Sequence, residues 1–359
     1  MEFTMKDVEN LFREAASAPM DASGDKKRSE FAAALTVPIL QEVQLRSLVR
    51  ELFAVENLGP GAQAVYPVAD DFDVPVWVLP GLGYVAQNFI EGVGEDVYVP
   101  TFSISTSADW KLTYAEEGRT DIMRRAINKM AQAIAEYEEE CGWKVIIPAG
   151  TTNFGGAGLL GARSAPIFEV SSGSAGAGYL SKELLNKMIV GMKRVDRTLT
   201  DLYVSPEDAA DIREWTDTDV DPVTRREIFQ AAGMGNIWKV AIHEVNHLGA
   251  VGKFNINANG SSYGVFTADA SSNYKNYHLD NPNDVDANRE VTTAGETQIW
   301  GFDLSVNDSL VMPIKRQFEA YDDPTLLRRQ KQGVFGWETI GMACLDSRME
   351  TMGVIDRSL

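Results

Sequence analysis

IWGFDL at residues 299–304 and NDSLVMPI at residues 307–314 set apolar, aromatic and β-branched side chains where buried strands carry them. The first reads as a strand, and the second as a continuation of the same sheet. YDDPTLLRRQ (321–330), GVFGW (333–337) and CLDSR (344–348) complete this C-terminal portion.

Upstream stands the clearest helix of the chain, predicted over residues 119–141. Ile122, Ala126, Ile127, Met130, Ile134 and Tyr137 recur at spacings of three and four, which gives one apolar stripe. Gly142 stands where a helix commonly stops. A helix of this length would run about 34 Å at 1.5 Å per residue, the dimensions of a spine. Before it, residues 62–118 take on strand character: Val74, Val76 and Val78 alternate, as do Val97, Val99, Phe102 and Ile104. Glycines at 81, 83, 92 and 94 lie between the two runs. The pattern predicts a long two-stranded excursion. A lone hairpin is marginal in water, so such a segment is expected to lie on something else, another subunit included.

Residues 1–61 read as an arm and not as a compact unit. A short helix over 5–16 is expected, then a breaker, DASGD at 21–25, then a second helical stretch carrying Ile39, Leu40, Val43, Leu48, Val49, Leu52 and Phe53. NLGPG at 57–61 closes it. Beyond residue 148 the chain is rich in loops. A helix is expected from Ser181 to Val195 and a strand over 199–204. Ser205 and Pro206 open a further helix, with proline at its first position. Strands and helices mix without an even βαβ rhythm, which predicts an α+β fold.

Composition bounds the function. The chain has 359 residues, 44% hydrophobic and 24% charged, as in a globular protein with ample core. No apolar run is long enough to cross a bilayer, so no membrane partner is expected. Two cysteines exclude a disulfide framework. With 33 basic and 52 acidic residues the formal charge is −19. Such a surface repels phosphate and suits a protein that encloses nucleic acid without sequence-specific binding.

Two motifs point towards chemistry. GAGLLG at 156–161 has the G-x-G-x-x-G spacing, but a dinucleotide site needs a helix opening at the third glycine, and Pro166 opposes one. A surface loop is the better reading. HEVNH at 243–247 holds two of the three histidines and matches the zinc-peptidase pattern, which works only when a helix turns both imidazoles towards one metal. Val240 and Ile242 before it alternate as in a strand, and Gly249 and Gly252 after it break any helix. On a strand the two rings would stand about 13 Å apart. The longer pattern fails as well, because Ala250 and Lys253 occupy its Gly and His positions. Neither a metal nor a cofactor is expected, and the zinc metallopeptidase remains a distant alternative.

The C-terminal segments quoted above, preceded by arm, hairpin and long helix in that order, resemble the major capsid proteins of tailed bacteriophages of the Hong Kong 97 type. The resemblance implies an N-terminal arm (1–61), an E-loop hairpin (62–118), a spine helix of the P-domain (119–142) and an A-domain (143–296). A P-domain sheet (297–345) and a C-terminal strand returning to the A-domain (346–359) would follow. It further implies a non-enzymatic protein that assembles through pentamers and hexamers into an icosahedral shell around double-stranded DNA. The shell would form in the bacterial host cytoplasm, with scaffolding, portal and cement proteins as possible partners. An encapsulin-like compartment shell is the nearer alternative. Candidate intersubunit contacts are Trp77, Leu82, Tyr84 and Phe89 on the hairpin and Arg119 before the helix, since aromatic and arginine side chains dominate interface energy.

Overall fold

The computed structural model describes residues 5–16, 22–46, 48–59, 61–66, 97–117, 119–151, 167–170, 178–194, 197–215, 236–249, 265–268, 276–279, 296–305 and 309–357. In chain order the helices α1 (Met5–Ala16), α2 (Ala22–Arg46) and α3 (Val49–Leu52) come first. Strands β1 (Ala54–Asn57), β2 (Val65–Tyr66), β3 (Val97–Tyr98) and β4 (Phe102–Lys111) follow, then α4 (Leu112–Glu116) and α5 (Thr120–Thr151). Next are β5 (Ile167–Val170), α6 (Lys182–Arg194), β6 (Asp201–Val204), α7 (Pro206–Glu214), β7 (Asn236–Ile237) and β8 (Val240–Glu244). The chain ends with β9 (Val265–Ala268), β10 (Asn276–Leu279), β11 (Glu296–Phe302), β12 (Leu310–Asp322), β13 (Lys331–Ile340), β14 (Ala343–Cys344) and β15 (Glu350–Asp356). It divides into two compact units.

Unit 1 gathers Met1–Gln63, Pro100–Trp143 and Val311–Met342. Its sheet is built on a hairpin, β12 and β13, turned by a 3₁₀ segment at Pro324–Arg329 that the Asp323 carboxylate caps. On its far side β13 pairs antiparallel with β4 over ten residues, from Lys331 opposite Lys111 to Ile340 opposite Phe102. β1 runs parallel to β12, with Ala54 opposite Val311 and Asn57 opposite Ile314. Gly336 is required by close approach. A Cβ there would stand 2.3 Å from the Phe318 ring and 2.7 Å from the Glu319 carbonyl oxygen.

The N-terminal residues belong to this unit, against the expectation of an arm without a core of its own. α1 ends where predicted, but DASGD does not break the chain, because α2 begins at Ala22 and runs on through Pro38. Phe12 and Phe31 are fully buried and their rings meet at 5.5 Å between centroids, with Trp110 of β4 at 6.0 and 6.5 Å. Burying three rings outweighs one glycine and one proline of weak helix propensity. NLGPG likewise opens with the last residue of a strand, β1.

α5 also departs from its prediction: it continues through Gly142 to Thr151. Gly142 is not a stop. A Cβ there would lie 2.5 Å from a Val49 methyl, so this glycine admits α3 against the helix. Residues 141–147 are buried, as suits an apolar run in a helix enclosed on every side.

Unit 2 comprises Ala64–Val99, Lys144–Leu310 and Ala343–Leu359. Its main sheet has the order β5–β15–β11–β6–β8–β7 among the described residues. Pairing is mixed, with β6 parallel to β8 and β11 antiparallel to both β6 and β15. The core packs Leu184, Met188 and Met192 of α6 and Ile212 of α7 against Leu202, Val204 and Ile299. α7 starts at the predicted place with a full capping box: the Ser205 hydroxyl accepts from the Asp208 N–H, and the Asp208 carboxylate accepts in return. β9, β10 and β14 form an antiparallel ribbon. IWGFDL is a strand as read, but its sheet is this one. NDSLVMPI does not continue that sheet; its second half starts β12 in unit 1. Phe102 and Ile104, read as the returning arm of the hairpin, lie on β4, which pairs with β13.

Candidate assembly surfaces

HEVNH can be judged from its backbone. His243 and Glu244 end β8, and residues 246–247 form a turn. The helix that a shared metal requires is therefore replaced by a strand end, as the alternation of Val240 and Ile242 predicts. Two of its side chains have local partners. His243 Nε2 lies 2.8 Å from Asp201 Oδ1 on the neighbouring strand, and its ring stacks on Tyr203 at 4.7 Å. Arg213 donates to Glu244 at 2.8 Å. His278 sits on β10, opposite Ala343. Among the described residues no group of three metal-ligating side chains comes together. GAGLLG lies outside the described residues.

Of the candidate contact residues, Trp77, Leu82, Tyr84 and Phe89 also lie outside the described residues, and Arg119 is described. Its guanidinium sits 5.1 Å from the centre of the Tyr114 ring and 3.7 Å from the Asp121 carboxylate. Arg119 lines an open groove of about 590 Å³ within unit 1, between β4 and α5. Thr106, Ser107, Ala108 and Asp109 form one wall; Ile122, Ala126 and Met130 contribute apolar surface from α5; Arg125 and Lys129 stand beside them. In the sequence Arg125 and Lys129 are not distinguished from other surface cations of the helix. The stripe was legible, but not that Ile122 and Ala126 stay half-exposed in a groove.

A buried charge cluster in unit 1 was also not legible, because its members are 88 and 200 residues apart. Arg50, in α3, donates to both oxygens of Glu138 on α5, at 3.0 and 3.2 Å from Nε, and to Glu338 on β13 at 3.0 Å. Both carboxylates are out of solvent. Burial, then the neighbouring Glu138 carboxylate, push the Glu338 carboxyl up to about 9 against the pull of Arg50. In unit 2, Arg357 joins Asp208 at 2.7 Å and Asp211 at 2.5 Å. Asp346 receives both Arg197 and Arg348. Glu350 is fully buried with neither oxygen hydrogen-bonded, and its carboxyl is held well above the usual range by burial and then by the Asp346 charge.

These arrangements are scaffolds and surfaces, and the described residues assemble no catalytic constellation. The sequence profile of the phage capsid protein family matches residues 98–308, more than half of the chain. The chain belongs to the phage capsid protein family. As a capsid protein it is a structural component of a bacteriophage virion and not an enzyme. The fold agrees. The capsid protein aligns with a capsid chain of cyanophage P-SCSP1u at 10% identity and a TM-score of 0.53, over 84% of this chain and 86% of that one. It aligns with a Gordonia phage Cozz chain at 14% identity and 0.50, over 86% of both. The mature capsid of bacteriophage PhiM1 gives 12% and 0.50, again over 86% of both. No curated protein sequence matches it. Among the described residues no helix is long and apolar enough to cross a membrane.

Proposed function

We propose that this is the major capsid protein of a tailed phage, self-assembling through pentamers and hexamers into an icosahedral shell around double-stranded DNA. The observation that carries the reading is the family match over residues 98–308. The mixed α+β fold with its 32-residue helix α5 supports it. Unit 1 is our counterpart of the P-domain with its spine helix, and the main sheet of unit 2 of the A-domain. The E-loop then reduces to the chain between β2 and β3, because β4 belongs to the unit 1 sheet. Copies must meet through heterologous contacts that close into rings. Trp77, Leu82, Tyr84, Phe89 and Arg119 are our candidates for those contacts. The net charge of −19 lets an enclosing wall hold DNA without gripping it. Scaffolding, portal and cement proteins are the further partners this role implies.

Electron microscopy of the purified protein under assembly conditions tests the proposal. Closed particles with five- and six-fold rings, filled with DNA when taken from infected cells, are expected. A monomer that persists under every condition tried would end the proposal. Deleting residues 80–94 should leave both units folded and abolish closed particles; normal particles from that deletion would remove the hairpin from the contact set.

A further inference from the structure

The main sheet of unit 2 is closed from within by a late segment of the chain. β15 lies between β11 and β5. It pairs antiparallel with β11, from Phe302 opposite Glu350 to Glu296 opposite Asp356, and parallel with β5, from Ile167 opposite Met352 to Val170 opposite Ile355. Both partners precede it in the chain, and the β12–β13 hairpin of unit 1 lies between in sequence. Without β15, β11 still pairs with β6, and β6 with β8, while β5 has no other strand partner among the described residues. A slot one strand wide would then separate β5 from β11. Glu350 to Gly353 are buried whichever face they point to, as in a strand enclosed on two sides. The fit is close, because a Cβ on Gly353 would stand 2.7 Å from Ile299 and 3.2 Å from Met188. The two ends of β15 differ. Just past its last residue, Arg357 donates to Asp208 at 2.7 Å and Asp211 at 2.5 Å, both on α7. At its first residue the Glu350 carboxyl is fully buried and neither oxygen has a hydrogen-bond partner, which opposes its burial.

We infer that β15 is a strap: it enters the slot between β5 and β11 last, is pinned to α7 by Arg357, and opens from its Glu350 end while the rest of the sheet stays formed. Its pairing with β5 spans more of the chain than any other in this sheet. Contacts between such distant residues close late, because the entropy of the intervening loop has to be overcome first. The opening is local, since β5 joins the sheet only through β15 among the described residues and leaves with it. An open slot presents unpaired strand edges on both sides, and such edges recruit foreign strands. Filling it with a late strand therefore makes a closed unit 2 the mark of a finished subunit, fit to meet its copies. That consequence rests on the shell reading above; the strap itself does not.

Native-state hydrogen exchange of the full-length subunit in sub-denaturing urea tests the strap. Amides of β15 and β5 are expected to exchange together, through an opening that leaves β6 and β8 protected. Exchange of β15 in step with β6 and β8 would overturn the inference. Two variants act on opposite ends. Arg357→Ala removes the pin and should speed exchange of β15 and β5 by about tenfold or more, as the loss of hydrogen bonds to charged groups implies. Glu350→Met keeps the volume, removes the unpartnered carboxyl and should slow the same exchange. Equal acceleration of β6 and β8 in the first variant, or faster β15 exchange in the second, would count as refutation. A synthetic peptide of residues 348–357 gives an independent reading. Added in excess while the full chain refolds, it should occupy the slot and keep those chains out of the particles that untreated protein forms. Added after folding, it should bind far less. Capture no better than that of a scrambled peptide would overturn the inference, whereas untreated protein that forms no particles would strike the shell reading alone.

Discussion

In unit 2 the ends of the main sheet are short, and several arginines turn inward. β7 is two residues long and β5 four, while Arg357 and Arg197 reach buried or half-buried aspartates. In unit 1 the ten-residue β4 is, among the described residues, the end strand of its sheet, and Arg125 and Lys129 line a groove near it with no ion pair to a described acid. Yet unit 1 also holds the most enclosed charge cluster, Arg50 with Glu138 and Glu338. The difference separates two tasks. Unit 2 turns arginines onto buried aspartates, whereas unit 1 is braced inside and, among the described residues, left open along one side. A shell subunit needs such a division, because a surface that must join other copies has to stay incomplete until they arrive.

The largest expected effect comes from removing the brace. Arg50→Met leaves the carboxyl groups of Glu138 and Glu338 out of water without their cation, and breaking a buried ion pair from one side costs about 3–5 kcal/mol. Urea unfolding should show unit 1 melting well before unit 2; a variant with parental stability would show that the cluster contributes little. Next, Gly336→Ala forces a methyl against the Phe318 ring and the Glu319 carbonyl, an overpacking worth about 1–3 kcal/mol. The measurement is the same, and an unchanged midpoint would mean that the hairpin yields without strain.

The pH dependence of unit 1 follows from Glu338. Its folded value is near 9, while an unfolded glutamate titrates at about 4.3. Between those values the folded state holds a proton that the unfolded state has released, so stability is full below the lower value and declines as pH rises towards the upper one. Glu338→Gln should flatten the decline between about pH 6 and about pH 9. Persistence of the full slope in that variant would assign it to another group.

The smallest effect lies in unit 2. Trp238 and Lys239 make the two-residue turn between β7 and β8 with φ of 50° and 72°, a conformation that favours Asn-Gly. Trp238→Asn with Lys239→Gly should raise stability by about 1 kcal/mol. A loss would mean that the half-exposed indole packs usefully.

How far the sequence could be read depended on the range of the signal. Local signals came through: the Ser205–Pro206 start of α7, the helix over residues 5–16, the alternation of Val240 and Ile242 that makes HEVNH a strand end. Signals that depend on a distant partner did not. Gly142 reads as a helix stop unless Val49 is known to press against it, and DASGD at 21–25 reads as a breaker unless Phe12, Phe31 and Trp110 are seen to meet. The division of residues 297–345 between two sheets was also hidden, because each strand there looks equally buried. The groove escaped notice for the opposite reason: its apolar lining looks like ordinary core in the sequence, and only β4 beside it shows that the face is left open.

Hydrogen exchange along residues 102–111, compared between unassembled subunits and closed particles, tests most directly the claim that unit 1 is completed by another copy. The account predicts that alternate amides of β4 gain protection on assembly, while those of β7 exchange as before. Equal exchange of β4 in subunit and particle would contradict it.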